Sequence, residues 1–261
     1  MRITPNKTVA SDRIALSFND VGKGYTSDIG TRVAALENIN LQIDYGQFVT
    51  LVGATGCGKT TLLNLAAGID TSDSGAISLA EDICPKRDVA YVFQHYTLLP
   101  WLNVEHNVAF GLKMRGISRK QRINASAELL GQVGLKGYEK AWPHELSGGM
   151  RQRASIAQAL AINPKLLLMD EPFGALDSST RRDLQTMLGN LHRDRKMTIL
   201  FVTHSIDEAV ILGDRVIVFS EQPGRILEDQ KISLPRPRMP SDAAFTRQFL
   251  HIYGLLAETH P

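Results

Sequence analysis

Gly53-Ala54-Thr55-Gly56-Cys57-Gly58-Lys59-Thr60 meets the spacing G-x-x-x-x-G-K-[ST] with Gly53, Gly58, Lys59 and Thr60. Glycines at these places let successive backbone N–H groups turn into one concavity, the geometry that binds phosphate oxygens. A helix beginning at the loop's end adds partial positive charge. Lys59 can reach β- and γ-phosphates, where it binds and also acts on the group transferred. The Thr60 hydroxyl can ligate Mg²⁺. The chemistry implied is binding and hydrolysis of ATP with Mg²⁺, with contacts at Gly53, Ala54, Thr55, Gly56, Cys57, Gly58, Lys59, Thr60 and Thr61.

A second acidic pair follows Leu166-Leu167-Leu168-Met169, as Asp170-Glu171. An apolar run of that length reads as a buried strand, and its carboxyl end should emerge beside the phosphate loop. Asp170 can then hold Mg²⁺, directly or through water. Glu171 is placed to orient and deprotonate an attacking water.

The third candidate is Leu146-Ser147-Gly148-Gly149-Met150, ahead of a helical stretch. Ser147 suits a helix N-cap, and two glycines bare the backbone for close approach. One reading is a plain cap. The other is a second anion site, which a single triphosphate does not need twice in one chain, but which a neighbouring copy's triphosphate could use.

These groups need elements to hold them. Ile14–Phe18, Ile39–Ile43 and Phe48–Val52 read as strands, the last running into the glycine loop. A helix follows from Thr60 until Gly68, then short strands at Ala76–Leu79 and Val89–Phe93. From residue 95 the texture turns helical, with Val104–Met114, Arg119–Val133 and Met150–Ala161. Beyond it, strand and helix alternate through Leu166–Met169, Ser178–Arg193, Thr198–Val202, Ile206–Leu212 and Val216–Phe219. Short apolar runs alternating with helices argue for a mainly parallel sheet with helical crossovers. The expected fold is α/β: a P-loop NTPase (RecA-like) core, an N-terminal antiparallel β region and an inserted α-helical subdomain at about residues 95–160. The domain is expected to span residues 13–233. Residues 234–261 are expected to add a stiff Leu234-Pro235-Arg236-Pro237-Arg238 linker and an amphipathic helix over about Asp242–Leu256.

A formal charge of +2 over 261 residues is too balanced to argue for nucleic acid or a lipid surface. The only cysteines, Cys57 and Cys84, read as free thiols of a reducing compartment. The N-terminus has Arg2, Lys7, Asp12 and Arg13 with no apolar run behind them, so no signal peptide is expected. The apolar runs are strand-length, short of the ~20 residues that a spanning helix needs.

Taken in order, the phosphate loop, Gln94, Leu146-Ser147-Gly148-Gly149, Asp170-Glu171, Gly174-Ala175-Leu176-Asp177 and His204 resemble the ATP-binding subunit of an ABC transporter over about residues 13–230. The resemblance implies two copies arranged head to tail. Ser147, Gly148, Gly149 and Asp177 of one copy would complete the ATP site of the other. It also implies that Tyr25 stacks on adenine, that Gln94 contacts Mg²⁺ and the water, and that Asp177 organises the dimer interface. His204 would touch the γ-phosphate and help hold the water. Ser205, where members often carry Asp, and Thr55, where Ser is usual, depart from the pattern without removing a catalytic group.

The same cassette drives chromosome-maintenance, repair and translation proteins. Here the helical stretch carries no coiled-coil heptads and there is one cassette, which favours transport; the alternative is a soluble ATPase acting in regulation or on nucleic acid. The apolar run Tyr96-Thr97-Leu98-Leu99-Pro100-Trp101 has two readings, a core corner or a docking surface for a permease; docking is preferred. Leu98-Leu99-Pro100-Trp101, Glu171-Pro172-Phe173-Gly174 and Pro223-Gly224-Arg225-Ile226 resemble the nitrate, sulfonate and taurine import group. The implied role is that of the ATP-hydrolysing subunit of an importer for a small solute, such as one of those anions. It would lie peripherally on the cytoplasmic face of the inner membrane. Its partners would be permease subunits and, indirectly, an extracytoplasmic solute-binding protein.

Overall fold

The computed structural model describes residues 13–26 and 30–258, so the reading of the first dozen residues lies outside the described part. The elements run β1 (Ile14–Thr26), β2 (Arg32–Asp44), β3 (Phe48–Val52), α1 (Lys59–Ala66), β4 (Ser74–Leu79), α2 (Pro85–Asp88) and β5 (Val89–Val92). Then come α3 (Val104–Val108), α4 (Phe110–Met114), α5 (Arg119–Gln132), α6 (Gly148–Ala161), β6 (Leu166–Asp170) and α7 (Ser178–Arg195). The chain closes with β7 (Thr198–Thr203), α8 (Ile206–Leu212), β8 (Arg215–Phe219), β9 (Ile226–Lys231) and α9 (Ala243–Ala257).

Two sheets carry these elements. A six-stranded sheet has the order β5-β6-β7-β3-β8-β9, and a three-stranded antiparallel sheet the order β2-β1-β4. In the larger sheet β5, β6, β7, β3 and β8 run parallel and β9 is antiparallel to β8. The α/β fold with its mainly parallel sheet is the one expected.

The central strands are apolar because both their faces are covered. Every residue of β3, β6 and β7 is buried. Strand alternation then sorts them. Leu167, Met169, Ile199 and Phe201 face a cluster built with Val104, Val108, Leu130, Ile156 and Leu188 of the helices. Leu166, Leu168, Leu200 and Val202 face Leu62 and Leu63 of α1 together with Phe18 and Ile39 of the antiparallel sheet. The helical region therefore shares a continuous core with one sheet face. A third cluster packs α8 and α9 on Val52, Val216 and Val218.

Several elements differ from expectation. β1 and β2 extend far beyond their expected ends. Asp20 and Asn38 sit at positive φ (50° and 51°), and the pairing shifts register between Phe18 and Val21. Such bulges break the alternation by which a strand is read. β9 was not expected: Ile226-Leu227-Glu228-Asp229-Gln230-Lys231 is an edge strand whose charges keep other chains from pairing with it. The expected helix Val104–Met114 is two short helices broken at Ala109.

The proline-rich stretch is anchored to the core. Arg238 is buried and its guanidinium donates to the carbonyls of Val210 (2.6 Å), Gly213 (2.5 Å), Ile232 (3.1 Å) and Leu234 (3.1 Å). Arg236 pairs with Asp214 at 2.8 Å and donates to Leu212. Two cations thus cap the carboxyl end of α8, where orphan carbonyls and the helix dipole favour positive charge.

Candidate nucleotide site

Parallel strands put their carboxyl ends on one edge of the sheet, and four neighbours here deliver the candidate groups. β5 leads to Gln94, β6 ends in Asp170 and leads to Glu171, β7 leads to His204, and β3 leads to the loop at Gly53. Pairings such as Asp170 with Val202 and Val52 with Thr203 align those ends. Residues spread over some 150 positions therefore meet at the crevice where open α/β sheets bind ligands.

The loop's glycines answer specific demands. Gly56 and Gly58 have φ of 83° and 97°, and a Cβ on Gly58 would lie 2.5 Å from the Ala35 carbonyl oxygen. Gly53 is confined less severely, with Phe219 Cβ and Cys57 Sγ each 3.0 Å from where its Cβ would stand. Lys59 is buried, and its Nζ donates to the carbonyls of Gly53 (2.9 Å) and Ala54 (2.7 Å). Cys57 is buried and Cys84 exposed, and neither forms a disulfide.

Thr60 Oγ1 donates to Asp170 Oδ1 at 3.1 Å, joining the loop to the acidic strand end. Asp170 is nearly buried, and burial pushes its carboxyl up, with Thr60 and Lys59 opposing and Glu171 adding. A buried carboxylate beside a hydroxyl is a hard-oxygen donor pair that fits Mg²⁺, which takes one or two protein ligands plus phosphates and waters. Among the described residues no group of three or more His, Cys, Asp or Glu could hold a metal ion. Tyr91, which no sequence pattern marked, stands beside Asp170 with its hydroxyl donating to Asn64 Oδ1 at 3.2 Å, and burial pushes its phenol up.

Glu171 turns off the strand at φ 42°, a left-handed conformation that a non-glycine residue adopts at some cost, of order 1–3 kcal/mol. Its Oε2 lies 3.1 Å from His204 Nδ1 and accepts from Gln94 Nε2 at 3.4 Å. The structure thus gathers two of the expected residues, Gln94 and His204, around one carboxylate oxygen of a third, Glu171. His204 stays half exposed, at 55%.

Tyr25 is 44% exposed, its hydroxyl donating to Asp70 at 2.9 Å and interacting with Thr61 of the loop helix. Lys23 Nζ lies 5.1 Å from its ring centre.

Ser147 caps α6 by accepting from the Met150 N–H at 3.3 Å. Asp177 caps α7, accepting from Ser179 and Thr180 N–H groups at 3.0 Å, and these bonds hold its carboxyl below the usual range. The two caps belong to one corner, because Gly149 packs on Thr180: a Cβ there would sit 2.3 Å from Thr180 Cγ2. Ser147, Gly148, Gly149 and Asp177, expected to act together, are thus brought to one corner through Thr180.

Comparison with known proteins agrees with this geometry. The sequence model of the family described as ABC transporter matches residues 36–174. The nitrate import ATP-binding protein NrtD of Synechocystis sp. is 46% identical over 222 residues, covering 84% of this chain and 83% of that protein. The aliphatic sulfonates import ATP-binding protein SsuB of Bacillus cereus is 43% identical over 234 residues, covering 89% of this chain and 92% of that protein. A solved dimeric structure of the ATP-binding cassette MJ0796, in a post-hydrolysis state with ADP and Pi, superposes with a TM-score of 0.74 at 30% identity. That match covers 84% of this chain and all of that one.

Proposed function

We propose a function from one premise, that the chain belongs to the ABC transporter family: it is the nucleotide-binding ATP hydrolase that powers import of a small anion through a membrane permease. The observation that carries the reading is the meeting of Lys59, Thr60, Asp170, Glu171, Gln94 and His204 at one sheet edge. The relatives named above, one for nitrate and one for sulfonates, support the class of solute. An extracytoplasmic binding protein would select it.

In this reading the loop from Gly53 to Thr61 holds the triphosphate, Lys59 countering its charge, and Tyr25 supports the base. Thr60 and Asp170 would hold Mg²⁺ with Gln94 near it; when bound, the ion neutralises charge on the phosphates. Glu171 takes the proton of the attacking water, while His204 and Gln94 fix its carboxylate from one side. Because little covalent chemistry falls to the protein, positioning carries most of the rate. Ser147, Gly148, Gly149 and Asp177 of a second copy close the site over the γ-phosphate. Dimerisation and a permease partner follow from the family. The cassette is residues 13–233 with helices inserted at about 95–160, and it lies on the cytoplasmic face of the membrane.

Glu171→Gln tests the reaction. Turnover should fall at least a hundredfold, the usual range for losing a positioned base, while nucleotide still binds. Unchanged turnover would remove Glu171 as the base. Co-purification from membranes tests the setting: a multi-spanning permease supports the reading, and a nucleic-acid partner supports a non-transport ATPase instead.

A further inference from the structure

Behind the Glu171–His204 pair lies a second polar network. Glu208, in the first turn of α8, is only 4% exposed. Thr203 Oγ1 donates to Glu208 Oε2 at 2.6 Å and accepts from the Ser205 N–H at 3.0 Å. Ser205 Oγ in turn accepts from the Glu208 N–H at 3.4 Å. These contacts bracket His204 on both sides, since Thr203 ends β7 and Ser205 caps α8.

From its other side Glu208 meets α7. Arg181 Nε lies 3.5 Å from Glu208 Oε1, and buried Gln185 interacts with the same carboxylate. Arg181 Nη2 donates to the carbonyl of Leu176 at 2.8 Å, the residue before Asp177. Its neighbour Thr180 both caps onto Asp177 and packs on Gly149. A continuous run of contacts therefore leads from the Ser147–Gly149 and Asp177 corner to the turn that carries His204.

A buried carboxylate is costly to keep, and apolar packing would serve stability as well. Burial pushes the Glu208 carboxyl up, with Thr203, Arg181 and His204 opposing. Arg181 Nε is buried and makes no hydrogen bond, so its link to Glu208 is an ion pair with room to shorten. Coupling between sites needs a contact that can shift between arrangements, and among the described residues this pair is the one ion pair joining α7 to the His204 turn.

We propose that Arg181 and Glu208 are positioning residues that tie the partner-facing corner to the His204 turn, so that engagement of a second copy sets His204 against Glu171. The proposal rests on the sandwich-dimer reading given above.

The test uses the full chain with Glu208→Gln, Arg181→Gln, both together, and Arg181→Lys, measuring kcat and KM for ATP. Each single Gln variant should lower kcat about tenfold while KM stays within about twofold. The double variant should be no slower than the worse single, because both break one link. Arg181→Lys should recover part of the loss. Single variants within about twofold of the unaltered kcat, or losses that multiply in the double variant, would overturn the proposal. If Glu208→Gln does not fold, the contrast between Arg181→Gln and Arg181→Lys decides: equal kcat overturns it. An unaltered chain without ATPase activity, or a fully active Glu171→Gln, would instead remove the dimer-ATPase reading and this proposal with it.

Discussion

Thr60 and Asp170 stand 110 positions apart and meet at 3.1 Å, and that bond is the smallest unit in which the site is visible. Residue types announced it: a glycine-rich loop ending in Lys-Thr, and carboxylates closing an apolar strand. What types could not announce is how each group is held. Lys59 resting on the Gly53 and Ala54 carbonyls, and Tyr91 beside Asp170, follow from packing and leave no motif. The glycines make a direct prediction. Gly58→Ala would hold a Cβ at φ 97° against the Ala35 carbonyl, costing about 1–3 kcal/mol in backbone strain alone. A lower thermal midpoint together with weaker nucleotide binding is the expected outcome. Lys59→Ala should weaken nucleotide binding by roughly ten- to a hundredfold, the worth of a charged hydrogen bond or two; titration with a fluorescent nucleotide measures both losses.

At the scale of elements, the parallel strands do the positioning, and they were legible because burial on both faces makes them mostly apolar. The bulged reach of β1 and β2 was not, since Asp20 and Asn38 interrupt the alternation. Nor was β9, whose Glu228, Asp229 and Lys231 carry no strand signal without the antiparallel partner β8. The stretch Leu234–Arg238 looked like a linker because prolines mark segments that leave a core. Its function depends on Arg238, a charge that no sequence pattern predicts to be buried. Burial pushes that guanidinium down to about 10, so it remains charged at neutral pH. Arg238→Met would orphan the carbonyls at the end of α8 and should destabilise the protein by about 2–3 kcal/mol. Denaturant unfolding measures this, and an unchanged midpoint would contradict the capping role.

At the scale of the whole molecule, the proposed function gives one chain two halves of different sites: the edge at Lys59 and Asp170 for its own ATP, and the corner of Ser147, Gly149 and Asp177 for the ATP of a second copy. A further surface lies next to Gln94. Trp101 is 68% exposed, on a loop pinned by buried Asn107, which donates to the carbonyls of Leu99 (3.1 Å) and Leu102 (2.8 Å) and accepts from the Leu99 N–H. A rigid loop presenting one large apolar side chain suits an anchor in a partner's pocket. Trp101→Ala should leave ATP binding intact and weaken permease association, read by co-purification from membranes; normal complex assembly would contradict it. The central claim is that the ATP site is completed by a second copy. Its most direct measure is the mass, by light scattering, of the Glu171→Gln chain with and without ATP. The account predicts a monomer that becomes a dimer with ATP, and that stays monomeric with ATP bound once Ser147→Arg is added. A chain that binds ATP yet remains a monomer, or a dimer indifferent to Ser147, would contradict it.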